Sequence, residues 1–512
     1  MLSTLLFLLC LTLPILLFFF IHNHKNNKNP PSPPGPRGLP IIGNLLQLDN
    51  TKLHLQLWNL SKKYGPIFSL RLGLRPAIVI SSPKLAREVL KNHGLIFSGR
   101  PSFLGQQKLS YKGLEIFFSP YSDYWREIRK ICVVYIFNSK RVRSFSSIRQ
   151  YEVKQMVKTI TRHASSSKVT NLSELMISLS STIICRIALG RRYEDEGTEK
   201  SKFHGLFNEF QAMMTAFFVS DYIPFMGWID KVTGLHKRLD RIFNEMDKFY
   251  QEVIDERVDQ NKQYREEEEE GEVIVDVLLH LKKQRLFSVD LTYDHIKAVL
   301  VDIIVASTDT TAATIVWAMT ALIKNPRVMN KVQEEIRKFG GEKDFIDEDD
   351  IQKFPYFKAV MKETLRLHLP APLLVPREAN ENCIINDYQI QAKTIVYVNA
   401  WAIHRDSEAW KNPEEFYPER FLDSSIDFQG QDFELIPFGA GRRVCPGLPM
   451  AIPALDLILV NLLYSFNWEL PPGIVKEDID IEVSPGLTQH KKNPLCLYAK
   501  TVRVYNIING EL

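Results

Sequence analysis

The segment Phe438-Gly439-Ala440-Gly441-Arg442-Arg443-Val444-Cys445-Pro446-Gly447 holds residue types and spacings that can do chemistry. Gly439 and Gly441 let the backbone turn tightly around a close neighbour. Arg442 and Arg443 raise the local positive potential, which favours a thiolate over a thiol at Cys445. The apolar run through Leu455, Leu459 and Leu463 predicts a helix just after it. A thiolate at a helix N-terminus gains from the dipole and from the free N–H groups. One hydrogen-bonded, shielded thiolate is what axial ligation of haem iron requires. A dinucleotide-binding reading fails, because its glycine pattern needs Gly or Ala at Val444 and no strand precedes. Cys10, Cys132, Cys185, Cys383 and Cys496 are scattered without a CxxC pair. They argue against a zinc module or a dense disulfide framework.

A second chemical row lies mid-chain. Thr292 can cap a helix that runs to about Ile323, Asp294 suits its first turn, and Asn325-Pro326 ends it. Such a helix spans about 45 Å, the width of a domain. Ala298 to Ala321 is apolar nearly all round, so the helix should run through the core. It nevertheless holds Asp302, Ser307, Thr308, Asp309, Thr310 and Thr311. Buried acids are expensive unless paired. The competing reading is structural: hydroxyls bonding back to carbonyls four residues earlier.

Other elements must position these two segments. Phe68, Leu70 and Leu72 alternate with Ser69 and Arg71, and Gly73-Leu74-Arg75-Pro76 leads to Ile78 and Ile80, which predicts a hairpin. Thr394 to Ala400 is a second sheet segment. The remaining periodic stretches are mostly helical, giving a mainly α fold with small β-sheets. The glutamate run 266–270 reads as a solvated stretch before a helix over Val273 to Leu281. The chain has 512 residues, 45% hydrophobic and 24% charged, which excludes a disordered chain and a polytopic membrane protein. A formal net charge of +4 argues against wholesale nucleic-acid binding.

Leu2 to Ile21 is apolar apart from Ser3, Thr4, Thr12 and Pro14. At about 1.5 Å per residue it matches the roughly 30 Å hydrocarbon thickness of a bilayer. It lacks the charged start and the small-residue cleavage site of a secretory signal. Residues 1–21 are therefore expected to be a single transmembrane helix. Lys25 and Lys28 follow it, placing the body in the cytosol. Residues 22–40 form a basic, proline-rich hinge, in which Pro30-Pro31-Ser32-Pro33-Pro34-Gly35-Pro36 reads as a stiff spacer. Residues 41–512 form the catalytic body.

Phe438, Gly441, Arg443, Cys445 and Gly447 fit FxxGxRxCxG, which resembles the haem-binding signature of the cytochrome P450 family. Four further segments agree in the family's order. Trp125 to Arg129 resembles the WxxxR that faces the haem propionates. Ala306-Ser307-Thr308-Asp309-Thr310-Thr311 resembles the oxygen-activating segment. Glu363-Thr364-Leu365-Arg366 resembles ExxR, and Pro418-Glu419-Arg420-Phe421 resembles the PERF that completes an ionic triad with it. The resemblance covers essentially the whole chain. PFGAGRRVCPG, VPREA and NAWAIHRD are similar to the plant microsomal class of specialised metabolism, and several segments are similar to an aldoxime-metabolising subgroup.

The resemblance implies a haem-thiolate monooxygenase (heme b) anchored in the endoplasmic reticulum membrane, with a cytosolic catalytic domain. Cys445 would be the axial iron ligand. Trp125, Arg129, Arg377 and Arg443 would hold the propionates, where charge-assisted bonds suit arginine. Phe438 would shield the sulfur. Asp309 and Thr310 would be the catalytic pair, an acid behind a hydroxyl forming a proton relay. Ser307 departs from the family's usual glycine, and Pro453 is unusual in the helix after Cys445. Glu363, Arg366 and Arg420 read as fold, and His404-Arg405-Asp406 only mimics a kinase loop. Substrate contacts fall at Phe103 to Phe118, Val301 to Thr310, Ala371 to Val375 and Gly486-Leu487-Thr488. These are mainly apolar and suit a small apolar or aromatic substrate, including phenylpropanoid, terpenoid, alkaloid or oxime classes. Electrons would come from NADPH–cytochrome P450 reductase, docked at Arg126, Lys130 and Arg442. The alternative is a haem-thiolate isomerase or dehydratase needing neither O2 nor reductase.

Overall fold

The computed structural model describes residues 30–502 apart from residue 50 and residues 193–197, 264–271 and 286. The expected anchor, the first part of the hinge and the glutamate run lie outside the described residues. β1 (Ile67–Leu72) and β2 (Arg75–Ile80) form the expected hairpin, with Phe68 opposite Val79 and Leu70 opposite Ala77. β3 (Arg377–Glu378) and β4 (Ile395–Val398) complete a sheet of order β1-β2-β4-β3. β2 and β4 are parallel and the other pairs antiparallel. A parallel pair needs a crossover connection, and here most of the helical body serves as one. The smaller sheets pair Cys496–Thr501 with both Thr170–Asn171 and Phe466–Glu469, and Cys383–Ile385 with Tyr388–Ile390.

Six helices position the site: α1 (Asp123–Ile131), α2 (Ser146–Ser165), α3 (Leu172–Leu189), α4 (Tyr293–Lys324), α5 (Pro355–Leu367) and α6 (Leu448–Ser465). α4 begins and ends where its signals place it. Thr292 caps it through a reciprocal pair with His295, and Asn325 closes it ahead of Pro326. α2, α3, α4 and α6 pack on one another as the centre of the body. By length and composition α3, α4 and α6 could each cross a membrane, yet 67% of each apolar window is buried inside the protein. That is the pattern of core helices. α6 runs unbroken through Pro453. The proline removes the helical donor for the carbonyl of Pro449, and Pro449 is exposed, so water can satisfy that group.

The proline-rich segment, where described, is docked rather than free. Ser69 donates from its backbone N–H to Pro34 O at 2.7 Å and from its hydroxyl to Pro33 O at 2.7 Å. Gln389 N–H reaches Pro31 O, and Asn44 Nδ2 reaches Pro36 O. A Cβ at Gly35 would stand 2.0 Å from Ser69 O, so glycine is required for this approach.

The Glu363–Arg366 pair organises the region below α5. Both side chains are 0% exposed and joined by two bonds of 2.7 and 2.8 Å. Arg420 Nε adds a third contact to Glu363 at 3.1 Å, and Tyr417 N–H a fourth at 2.8 Å. Arg366 also donates to the carbonyls of His404, Pro413 and Glu415. His404 carries the network onward. Its Nε2 must accept from Ile436 N–H at 2.8 Å, so its Nδ1 holds the proton and donates to Arg366 O at 3.0 Å. Ile436 stands two residues before Phe438, so α5 and the Cys445 loop are tied through one neutral imidazole. Burial and the charges of Arg366 and Arg405 push His404 down to about 3.

Removing one partner of a buried ion pair leaves an uncompensated charge and costs about 3–5 kcal/mol. This is a large part of the roughly 5–15 kcal/mol that holds a domain together. Arg366→Ala should therefore express as little haem-loaded protein; a folded variant at full haem occupancy would overturn this account. His404 has a folded value below its ordinary 6.5, so the unfolded chain binds the proton first. Its contribution is complete above about pH 6.5 and is lost as pH falls toward about 3. Urea titrations between pH 6.5 and 4.5 should show stability falling by about 1.4 kcal/mol per pH unit from this group. His404→Gln should flatten that slope by about one proton; an unchanged slope would refute the assignment.

Candidate active site

The Cys445 loop is built as its glycines require. Gly439 and Gly441 have φ of +70° and +69°, and a Cβ at Gly441 would lie 1.9 Å from Leu90 O. Cys445 N–H donates to Phe438 O at 3.0 Å, closing the loop. The backbone N–H groups of Gly447 and Leu448, at the start of α6, point at Sγ. Burial pushes the thiol up, against those two donors and the charge of Arg129. The expectation that Arg442 and Arg443 supply the positive field is corrected here. Arg442 is exposed, and Arg443 is turned to carbonyls; the cation that acts on Sγ is Arg129.

Ser122 caps α1 by accepting from Trp125 N–H, and Trp125 and Arg129, four residues apart, share one face. Arg129 Nη2 donates to Val444 O at 2.6 Å. Arg443 stacks 4.1 Å from the Trp125 ring centroid and donates to Ser98 O, Ile116 O and Ser119 O. Arg377, at β3, donates to Phe97 O and Ala440 O. The structure thus brings Trp125, Arg129, Arg377 and Arg443 around one loop. It adds Arg100, which bonds Phe117 O, Val375 O and Pro376 O and which no periodicity in the sequence marked. Burial, then mutual repulsion, pushes Arg377 down to about 10 and Arg443 to about 9. Arg100 is pushed well below its ordinary value for the same reasons. Among the described residues, none of the four arginines forms an ion pair with a carboxylate.

Asp302 goes elsewhere than the oxygen-site row suggested. Its Oδ2 accepts from Ile116 N–H at 2.8 Å, and its carboxyl bonds the buried Glu115, which accepts from Phe117 and Phe118 N–H. Burial and the Glu115 charge push Asp302 well up, so this pair shares a proton. Ile116 is pinned from both sides, because its carbonyl accepts from Trp125 Nε1 at 2.9 Å. The loop before α1 is thereby locked to α4.

Thr310 and Phe438 line one cavity with Thr314, Leu365, Pro370, Ala451 and Leu455. The Thr310 hydroxyl donates to Ala306 O at 2.7 Å, which leaves its oxygen free to accept. Thr308, Thr314 and Thr320 back-bond in the same way, so the structural reading of those hydroxyls holds. Asp309 turns to His490, with Oδ1 3.2 Å from Nε2. Ser307 opens into a second, adjoining cavity between α3, α4 and α6, with Ser180, Ile183 and Ala454; Thr311 and Ala451 line both. The departure from glycine therefore bears on the packing behind α4. The Ser180 hydroxyl there has no hydrogen-bond partner.

These residues fit haem on grounds internal to the chain. Two backbone N–H groups favour the thiolate, a cavity lies between α4 and the thiol loop, and among the described residues the four guanidinium groups have only Glu115 acting against their charge. A cytochrome P450 family model matches residues 33–497. The 5-OH-xanthotoxin synthase of Pastinaca sativa is 46% identical over 501 residues, covering 96% of this chain and 98% of that one. The strychnine-11-hydroxylase of Strychnos nux-vomica is 44% identical over 503 residues, covering 98% and 97%. A zebra fish cytochrome P450 solved with progesterone superposes with a TM-score of 0.75 at 25% identity, covering 88% of this chain and 99% of that one. By the family model over residues 33–497 and by these relatives, the chain belongs to the cytochrome P450 family, the haem-thiolate monooxygenases, and to its plant branch of specialised metabolism.

Proposed function

We propose that this chain transfers one oxygen atom from O2 to a small, largely apolar or aromatic plant metabolite, with electrons delivered by NADPH–cytochrome P450 reductase. The observation that carries the reading is the cluster of Arg100, Arg129, Arg377 and Arg443 beside Cys445, four guanidinium groups on which Glu115 is the one carboxylate, among the described residues, seen to act, and only on Arg100 and Arg443. Two propionates supply further carboxylate charge. Haem, when bound, supplies the iron centre at which dioxygen is reduced and split.

The residues have separate tasks in this reading. Cys445 Sγ would hold the iron, with the Gly447 and Leu448 N–H groups favouring its thiolate. Trp125 and the arginines would hold the propionates, and Phe438 would cover the sulfur side. The Asp309 carboxyl would take up a proton and pass it to Thr310 Oγ1, whose hydroxyl would leave Ala306 O to give its own hydrogen toward the cavity. An Asp309–Thr310 relay would have no task in a rearrangement that consumes no O2, so the isomerase reading is not favoured. Relatives named for a hydroxylated xanthotoxin and for strychnine 11-hydroxylation support fused aromatic or alkaloid substrates. Residues 1–21 are read as the anchor in the endoplasmic reticulum membrane, 22–40 as the hinge, and 41–512 as the cytosolic haem domain.

Arg126, Lys130 and Arg442 are exposed near the thiol loop and form the proposed reductase face. The reduced protein with carbon monoxide should show the red-shifted Soret band of thiolate ligation. Cys445→Ser should lose that band and Cys132→Ser keep it; the reverse pattern would remove Cys445 as the ligand. Charge reversal at Arg126, Lys130 and Arg442 should slow reductase-driven turnover and spare peroxide-driven turnover. Equal loss of both would refute the docking face.

A further inference from the structure

The acid of the relay is held by a residue that the mid-chain motif does not contain. His490 lies beyond the last substrate-contact segment, and its Nε2 stands 3.2 Å from Asp309 Oδ1, with the side chains 28% and 20% exposed. Isolated surface ion pairs contribute little, but this one is fixed on both sides. Gln489 N–H donates to Pro370 O at 2.8 Å, and Trp317 Nε1, two turns along α4 from Asp309, donates to Gln489 O at 2.7 Å. Ser484 N–H donates to His490 O at 2.9 Å, and Lys491 bridges Val483. The neighbouring side chains are engaged elsewhere: Gln489 with His54, Lys491 with Asp480, and Lys492 with Glu482. His490 is thus the member of this run that faces the acid.

We propose that His490 is a positioning residue for proton delivery. Its Nε2–H holds the Asp309 carboxylate in the rotamer from which the proton passes to Thr310. Because His490 follows Gly486-Leu487-Thr488 on one pinned turn, the segment expected to touch substrate and the residue that aims the acid move together. The inference rests on the reading of Asp309 as the relay acid.

The test uses the haem-loaded full chain with reductase and NADPH and needs no substrate. One readout is hydrogen peroxide released per NADPH oxidised, which rises when protons fail to arrive. The other, independent of turnover, is a double-mutant cycle on the unfolding midpoint of the loaded protein. Asp309→Asn and His490→Ala should each raise the peroxide yield severalfold, the double variant should rise no further, and His490→Gln, which keeps an N–H donor, should restore most of the loss. The cycle should show non-additive midpoints. A wild-type peroxide yield in His490→Ala beside a raised yield in Asp309→Asn overturns the role of His490 alone. An unchanged yield in Asp309→Asn overturns the relay reading beneath it. Additive effects in both readouts also overturn the proposal, since His490 would then act without Asp309. Should His490→Ala fail to load haem, His490→Asn carries the same comparison, because its shorter amide loses the reach to Oδ1.

Discussion

Positive charge in the interior, offset only in part by Glu115, is the constraint around which this body is arranged. Taking an ion out of water costs several kcal/mol even after relaxation. Arg100, Arg377 and Arg443 are buried, Arg129 half so. The chain spreads the cost over backbone carbonyls drawn from Phe97, Ser98, Ile116, Phe117, Ser119, Val375, Pro376, Ala440 and Val444. Carbonyl dipoles hold a guanidinium in place, but they do not neutralise it. Folding and cofactor uptake are therefore one problem: whatever binds here with negative charge stabilises the fold by mass action.

The thiol loop meets that constraint from the other side. It is held at Arg129 through Val444, at Arg377 through Ala440, and at His404 through Ile436. The last contact ends in the Glu363–Arg366 pair, which never reaches the cofactor region itself. A motif that reads as fold thus anchors the loop that carries the sulfur. Across the cavity, the Glu115–Asp302 pair performs the matching task for α4 and the loop that carries the arginine-binding carbonyls.

Local signals were legible in the sequence and tertiary pairings were not. The β1–β2 alternation, the Thr292 cap and Asn325-Pro326 stop of α4, and the glycine demand at 439 and 441 are decided within a few residues, and each stands as read. Arg100, Glu115, His404 and His490 take their meaning from partners far along the chain, and nothing within a helical or strand period points to them. For the same reason Arg442 was credited with a field that Arg129 supplies: adjacency in sequence said nothing about the direction of the guanidinium. The motif groups Ser307 with the oxygen site, yet its side chain lines the cavity between α3, α4 and α6, a surrounding set by the packing of three helices that the motif does not carry. The proline-rich run was read from composition alone, which gives stiffness but not what the stiff piece lies against.

That docked run has a mechanical consequence. Pro31 is bonded to Gln389, Pro33 and Pro34 to Ser69 of β1, and Pro36 to Asn44. From Pro31 onward the run is therefore part of the body's outer wall. Counted as tether it adds no reach, because Pro33 and Pro34 travel with β1.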